Sequence, residues 1–172
     1  MFRPVLAGVL AVCASTPALA GEVFGGLFVH DVDTVLTHSG VEGGVDAQIG
    51  YRWDPLMNGK GPQPYVFAAV NSAGETHYAA AGLSFKFGGR FFVRPGLGIA
   101  VHTGSAGNFD HPDHDHIDFG SRILFEPEIG VGFRISERAT VEASWVHMSH
   151  AQVLSGQNPG IDNFGARLSW KL

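Results

Sequence analysis

Apolar and polar residues alternate with a period of two along most of this chain, and this alternation restricts the possible folds more than any other feature. In RFFVRPGLGIAVH, residues 90–102, the odd positions hold Phe, Val, Pro, Leu, Ile and Val, whereas the even positions are mostly Arg, Gly, Ala and His. Such alternation is typical of β-strands, and no segment after residue 20 indicates a helix. We predict eight strands, at about residues 22–34, 41–53, 63–72, 75–87, 90–102, 122–134, 140–149 and 163–172.

Two architectures fit this alternation, and the composition of the polar parity favours one of them. A soluble β-barrel or sandwich turns its polar parity to water, whereas a transmembrane barrel turns it into the lumen. The polar parity here is glycine with Arg, Glu, Asp, Gln and Ser, and the whole chain has three lysines and 16 % charged residues. These residues suit a narrow, filled lumen. We therefore predict an all-β fold, an eight-stranded antiparallel transmembrane β-barrel of the outer membrane, with a soluble β protein as the alternative.

The first twenty residues, MFRPVLAGVLAVCASTPALA, have the composition of a secretory signal peptide. Arg3 precedes an apolar run that is too short to span a membrane, and the segment ends in Ala18-Leu19-Ala20, a small-x-small cleavage pattern. We predict a cleaved signal at 1–20 and one barrel domain at 21–172. An even number of strands then places both termini in the periplasm and the long loops outside.

The stretch SWVHMSHAQ, residues 144–152, places a histidine and a serine two positions apart on one predicted strand. If the apolar parity of this strand continues, the His147 and Ser149 side chains point toward lipid. Their Cα atoms are then about 6.5–7 Å apart, so the imidazole can reach the serine hydroxyl. Asp162 has the outward parity on the next strand, so the three side chains could converge on the outer wall. The alternative is a polar pair that simply lies in the headgroup region.

HMSHA, followed by NPGID and a final amphipathic strand, resembles the outer-membrane lipid A 3-O-deacylases, the PagL-like acyloxyacyl hydrolases. The resemblance implies an eight-stranded barrel with a lipid-facing Ser-His-acid triad, here Ser149, His147 and Asp162. Better-known members carry glutamate as the acid, and position 150, commonly asparagine, is His150 in this chain. The backbone N–H groups of His150 and Ala151 are candidate donors of an oxyanion hole.

A second polar stretch, NFDHPDHDHIDF, combines histidines and aspartates on a predicted outer loop. It could bind a divalent cation through His111, His114 and His116, or it could be a solvated loop without fixed geometry. Serine hydrolysis needs no metal, so we expect no cofactor. The net charge of −5 argues against nucleic acid as a partner.

Charged residues on the polar parity predict a packed ion network in the lumen rather than an open pore. These residues are Arg94, Arg122, Arg134 and Arg167, together with Glu126, Glu128 and Glu142.

Three functions remain open from the sequence. The first is an outer-membrane esterase that removes the 3-O acyl chain of lipid A in lipopolysaccharide, with its active site facing the outer leaflet. The second is a non-enzymatic small barrel whose outer loops bind partners. The third keeps the esterase chemistry but acts on phospholipid. The oligomeric state is not indicated.

Overall fold

The structure, a computed structural model, describes residues 21–37, 40–107, 116–151, 153 and 159–172. The predicted signal peptide lies outside the described residues. The elements are β1 (Gly21–Val29), β2 (Val45–Trp53), α1 (Leu56–Gly59), β3 (Gln63–Asn71), β4 (Tyr78–Ser84), β5 (Phe87–Gly88), β6 (Phe91–His102), β7 (Ile123–Arg134), β8 (Ala139–Ser149) and β9 (Gly160–Lys171). Within these ranges no helix is long and apolar enough to cross a membrane.

The strands form one antiparallel sheet that closes on itself. β1 pairs with both β2 and β9, and β4 pairs with β6. β4 and β5 pair with β6 in one continuous register, so they are a single barrel strand that is interrupted at residues 85–86. The N–H of Phe85 donates to the carbonyl of Pro95 (2.9 Å), but Pro95 has no N–H to donate in return. The predicted eight-stranded antiparallel barrel is therefore confirmed.

The two faces of the sheet distribute polar and apolar side chains as a membrane barrel requires. Large apolar side chains on the outward parity are exposed, including Leu27, Val29, Ile49, Leu97, Ile99, Val131 and Leu168. The inward parity buries Arg52, Arg94, Arg167 and the carboxylates Glu128 and Glu142. An apolar exterior around a charged interior is the reverse of a soluble protein, so the alternative of a soluble β protein is wrong.

The lumen contains the predicted ion network, with a partly different membership. Arg167 pairs with Glu128 (Nη1–Oε2, 2.6 Å), and Arg94 pairs with Glu142 (Nε–Oε2, 3.0 Å). Arg52 and Glu22, which were not in the predicted set, join them through a 2.5 Å ion pair. Two predicted members, Arg122 and Arg134, are exposed instead. Arg122 immediately precedes β7 and Arg134 is its last residue, so neither side chain lies within the wall that encloses the lumen.

Glycines on the inward parity make room for these large side chains. A Cβ at Gly130 would lie 2.4 Å from Oε1 of Glu142, and a Cβ at Gly132 would lie 2.2 Å from Cζ of Phe92. Both distances are far below a van der Waals contact. The narrow lumen thus explains the glycines at these inward-facing strand positions.

The ends of four strands differ from the prediction at the rim that carries the connections 30–44, 72–77, 103–122 and 150–159, called here the long-loop end. β2 starts at Val45 rather than residue 41, and β4 starts at Tyr78 rather than residue 75. β1 stops at Val29 rather than residue 34, because Asp31 adopts a left-handed conformation (φ 50°) that ends the ladder. β9 starts at Gly160 rather than residue 163. Because β9 starts at Gly160, Asp162 lies inside the β-ladder.

A buried charged cluster of His30, Glu42 and Asp46 lies at the long-loop end of the barrel. His30 Nδ1 lies 2.9 Å from an Asp46 carboxylate oxygen, and His30 Nε2 lies 3.0 Å from Glu42 Oε2. Burial lowers the pKa of His30, but the hydrogen bonds that His30 donates to Asp46 and Glu42 outweigh this effect and raise the pKa to about 9. His30 is therefore an imidazolium at neutral pH, and it ties the connection 30–44 to β2.

The His30 cluster predicts a stability that depends on pH. Because the folded-state pKa of about 9 exceeds the unfolded value of 6.5, the contribution is complete below pH 6.5 and is lost as the pH rises through 9. The difference between these two pKa values corresponds to roughly 3 kcal/mol. We expect the stability difference between wild type and His30→Gln, measured by denaturant unfolding in detergent, to shrink between pH 6.5 and 9.5. A difference that stays constant over this range would contradict a charged His30.

Candidate active site on the outer wall of the barrel

Strands β8 and β9 place the predicted site residues on adjacent ladder positions. His147 is directly opposite Asp162, and Ser149 is directly opposite Gly160. The intervening Val146 and Met148 are fully buried in the interior, so His147 and Ser149 have the outward parity that the sequence predicted. The register therefore brings these three side chains to one place on the outer wall, at the long-loop end.

The three side chains form a continuous hydrogen-bonded chain. His147 Nε2 lies 2.9 Å from Ser149 Oγ, and His147 Nδ1 lies 2.9 Å from Asp162 Oδ1. An ionised carboxylate accepts only, so Nδ1 carries the imidazole proton and Nε2 is free to accept the proton of the serine hydroxyl. This tautomer is the one that a general base beside a serine requires.

Four side-chain donors surround the carboxylate of Asp162, which is fully buried. Oδ1 accepts from His147 and from the indole Nε1–H of Trp145 (2.7 Å). Oδ2 accepts from the hydroxyls of Thr34 and Thr37, the latter at 2.6 Å. Hydrogen bonds to a charged acceptor are the strong ones, and together they stabilise the carboxylate without water.

The immediate surroundings of Ser149 are small on one side and aromatic on the other. Gly160 contributes no side chain, and a Cβ there would lie 2.8 Å from Thr37 Cγ2 and 3.1 Å from Ser149 Cβ. The Trp145 ring stacks on Phe164 with centroids 6.3 Å apart and lies 5.9 Å from the His147 ring. Ser149 is thus buried in a closely packed position, and the apolar Trp145–Phe164 pair lies beside its neighbour His147.

The two oxyanion candidates differ in their environment. His150 is fully buried, whereas Ala151 is exposed and has a positive φ of 51°. The carbonyl of His150 accepts from the N–H of Val153 (2.9 Å), so the chain turns sharply just after Ser149. The burial of the His150 side chain leaves the backbone N–H groups of this turn as the better candidates.

The three histidine candidates for a metal are only partly described. His111 and His114 lie outside the described residues. His116 is described, and its Nε2 lies 3.3 Å from Asp118 Oδ1. Among the residues that the structure describes, no group of three or more His, Cys, Asp or Glu side chains is arranged to hold a metal ion.

Comparison with known proteins identifies the family of this barrel. A family model described as lipid A 3-O-deacylase (PagL) matches residues 34–171, which is most of the chain. The chain belongs to the lipid A 3-O-deacylase family. The match includes both strands that carry the Ser149, His147 and Asp162 side chains. A search of curated proteins finds no match.

Solved structures support the fold of this deacylase-family member. It is similar to the crystal structure of the outer membrane enzyme PagL, with a TM-score of 0.65 and 20 % identity over 88 % of this chain and 99 % of that one. Neisserial surface protein A gives a TM-score of 0.52 at 9 % identity, covering 88 % of this chain and 97 % of that one. A de novo designed transmembrane β-barrel gives 0.51 at 11 % identity, covering 89 % and 97 %. At these identities the likeness concerns the outer-membrane barrel fold.

Sequence reasoning did not find three of the donors to Asp162. Trp145 lies two residues before His147, which is a usable signal for a neighbouring donor on the same face of the strand. Thr34 and Thr37 were assigned to a strand end and an outer loop. No pattern in the sequence could place them beside a residue that lies 125 or more positions away.

Proposed function

We propose that this family member hydrolyses the ester that links the acyl chain at the 3-position of lipid A, with Ser149 as the nucleophile. The observation that carries the proposal is the unbroken Ser149–His147–Asp162 chain of 2.9 Å hydrogen bonds on an outward-facing wall. A serine, a base and an orienting acid within hydrogen-bond reach are what nucleophilic ester hydrolysis requires. Membership of a lipid A 3-O-deacylase family supports the choice of substrate.

The geometry suggests a two-step reaction. His147 Nε2 takes the proton of Ser149 Oγ as this oxygen attacks the ester carbonyl carbon, and the carbonyl oxygen becomes an oxyanion. The intermediate collapses, the 3-hydroxyl of lipid A leaves with the proton from Nε2, and Ser149 keeps the acyl group. His147 then deprotonates a water that attacks the acyl-enzyme, which releases the fatty acid and restores Ser149.

Other groups assist this reaction without reacting themselves. Asp162 holds the tautomer of His147 and stabilises the imidazolium that forms in each step. The backbone N–H groups of His150 and Ala151, which begin the turn after Ser149, would donate to the oxyanion. No metal or other cofactor takes part in this scheme.

The position of the site explains how a membrane lipid would reach it. The site lies on the outward parity at the long-loop end, beside the exposed apolar band of the barrel. In the outer membrane the long loops face outward, so this end lies at the level of the outer-leaflet esters. Lipid A would then arrive by lateral diffusion and not through the filled lumen.

The proposal is tested by mass spectrometry of lipid A from a Gram-negative host that expresses the wild-type barrel. We expect a mass loss equal to one hydroxyacyl chain. A fluorophosphonate probe added to the purified barrel should label Ser149, and Ser144 on the inward parity of the same strand should remain unlabelled. Unmodified lipid A together with an unlabelled Ser149, in a barrel shown to be folded, would overturn the proposal.

The same experiment separates the other functions left open by the sequence. Labelling of Ser149 with unmodified lipid A, but with fatty acid released from phospholipid vesicles, would favour a phospholipid esterase. An inert Ser149 would favour a barrel whose long loops bind partners.

A further inference from the structure

Residues 34–37, called here the 34–37 turn, are shaped to present two hydroxyls to one oxygen atom. The N–H of Thr34 donates to the carbonyl of Thr37 (3.0 Å), and Thr34 Oγ1 accepts from the N–H groups of Leu36 (3.0 Å) and Thr37 (3.3 Å). The Thr34 hydroxyl therefore uses its lone pairs within the turn and its proton on Asp162 Oδ2. Thr37 donates to the same oxygen at 2.6 Å.

The 34–37 turn is held in place by bonds that do not involve these hydroxyls. The N–H of Val32 donates to the carbonyl of Asp162 (2.7 Å), and the N–H of Asp31 donates to Asn163 Oδ1 (3.0 Å). Asp31 Oδ2 accepts from the N–H groups of Val41 (2.8 Å) and residue 42 (2.9 Å). The connection that carries the turn is thus fastened to β9 by its own backbone, so loss of the two hydroxyls leaves it docked.

We propose that Thr34 and Thr37 are positioning residues that hold the Asp162 carboxylate with Oδ1 directed at His147. The torsion that orients an aspartate carboxylate is broad and has no strong preference of its own. Two donors on Oδ2, from a turn fastened to the same strand, set that torsion. This inference rests on the proposed function, because it assigns a role to residues that act through its acid.

A structural role alone would give a different result from a positioning role. Thr37 is buried and Thr34 half-buried, so their replacement by valine keeps the volume and removes only the hydroxyl. If the hydroxyls orient Asp162, their loss lowers the rate of the chemical step and leaves the affinity for lipid unchanged. If they only stabilise the loop, their loss lowers the melting temperature, and kcat stays at its wild-type value in the folded fraction.

The test uses the full-length purified barrel with lipid A in mixed micelles and compares the double variant Thr34→Val/Thr37→Val with wild type. We expect kcat to fall by about 10- to 100-fold with KM changed by less than about twofold, since a misplaced catalytic group costs rate and not binding. The double variant Thr34→Ser/Thr37→Ser keeps both hydroxyls and should recover most of the activity. Thr103→Val, which removes an exposed hydroxyl that is hydrogen-bonded to the backbone of His77, is the matched control and should behave as wild type.

A second comparison confines the effect to Asp162. In an Asp162→Ala background there is no carboxylate for the threonine hydroxyls to orient. We therefore expect the valine substitutions to lower kcat there by less than a further twofold. An equal loss in both backgrounds, or no loss of kcat in the wild-type background, would overturn the positioning role. A different result would contradict the proposed function: Ser149→Ala would retain activity, whatever the activity of the threonine variants.

Discussion

Replacement of Ser149 by alanine is expected to lower the rate of acyl release from lipid A by about 10⁴-fold or more. Without Oγ no acyl-enzyme can form, and His147 has no proton to accept at the 2.9 Å position that Ser149 occupies. His147→Ala should cost about as much, and the double variant should be no worse than either, because a nucleophile and its base act as one unit. Asp162→Ala should cost less than either, since the base and nucleophile remain.

This result is measured as fatty acid released by the purified barrel, with mass spectra of the remaining lipid A. Ser144→Ala is the matched control. Ser144 lies on the same strand but on the inward parity, where its hydroxyl donates to Glu142 (3.1 Å), and we expect activity within about twofold of wild type because it is distant from the reacting atoms. Full activity of Ser149→Ala would exclude the serine mechanism.

Replacement of Arg167 by methionine is expected to cost about 3–5 kcal/mol of unfolding free energy. The Arg167 guanidinium is buried, pairs with Glu128 at 2.6 Å and donates through Nε to Gln48 at 2.6 Å. It also lies within 5.3 Å of the ring centroids of three phenylalanines. Methionine fills similar space but leaves a buried carboxylate without its cation, and the loss of that cation dominates the cost.

The measurement is equilibrium unfolding by denaturant in detergent. Gel mobility and tryptophan fluorescence distinguish the unfolded chain from the folded barrel. Arg134→Met removes an arginine from the exposed end of β7 and should change the unfolding free energy by no more than about 0.5 kcal/mol. Equal effects at the two positions would mean that water enters the lumen and screens the network.

Asp162, the proposed acid, shows how much of the site could be predicted from local sequence patterns. The sequence predicted that Asp162 points outward beside His147, and the structure places the two residues directly opposite each other. This register explains how an aspartate, one methylene shorter than the glutamate of the family resemblance, reaches Nδ1 at 2.9 Å. Parity within each strand was readable, whereas the pairing between strands that sets the distance was only inferred.

The same limit applies to the strand ends and the lumen. Parity placed Arg94 and Arg167 inside correctly, but it also placed Arg122 and Arg134 there, because alternation has no information about where the barrel wall stops. The interruption after Ser84 was also not predicted. This interruption arises because Pro95 of the neighbouring strand β6 has no N–H to donate to Phe85. The effect depends on the pairing of β4 with β6, which the sequence does not reveal.

The sequence by itself determined the strand alternation, the membrane barrel and the His147–Ser149 pair, because each of these depends on residues a few positions apart with a period of two. Only the tertiary structure decided that Thr34 and Thr37 contact Asp162, and that His30 ties the connection 30–44 to Asp46 and Glu42. These contacts join separate strands and loops across the closed barrel. The side chains meet because backbone pairing and the closure of β1 on β9 fix the geometry, and no local pattern encodes that closure.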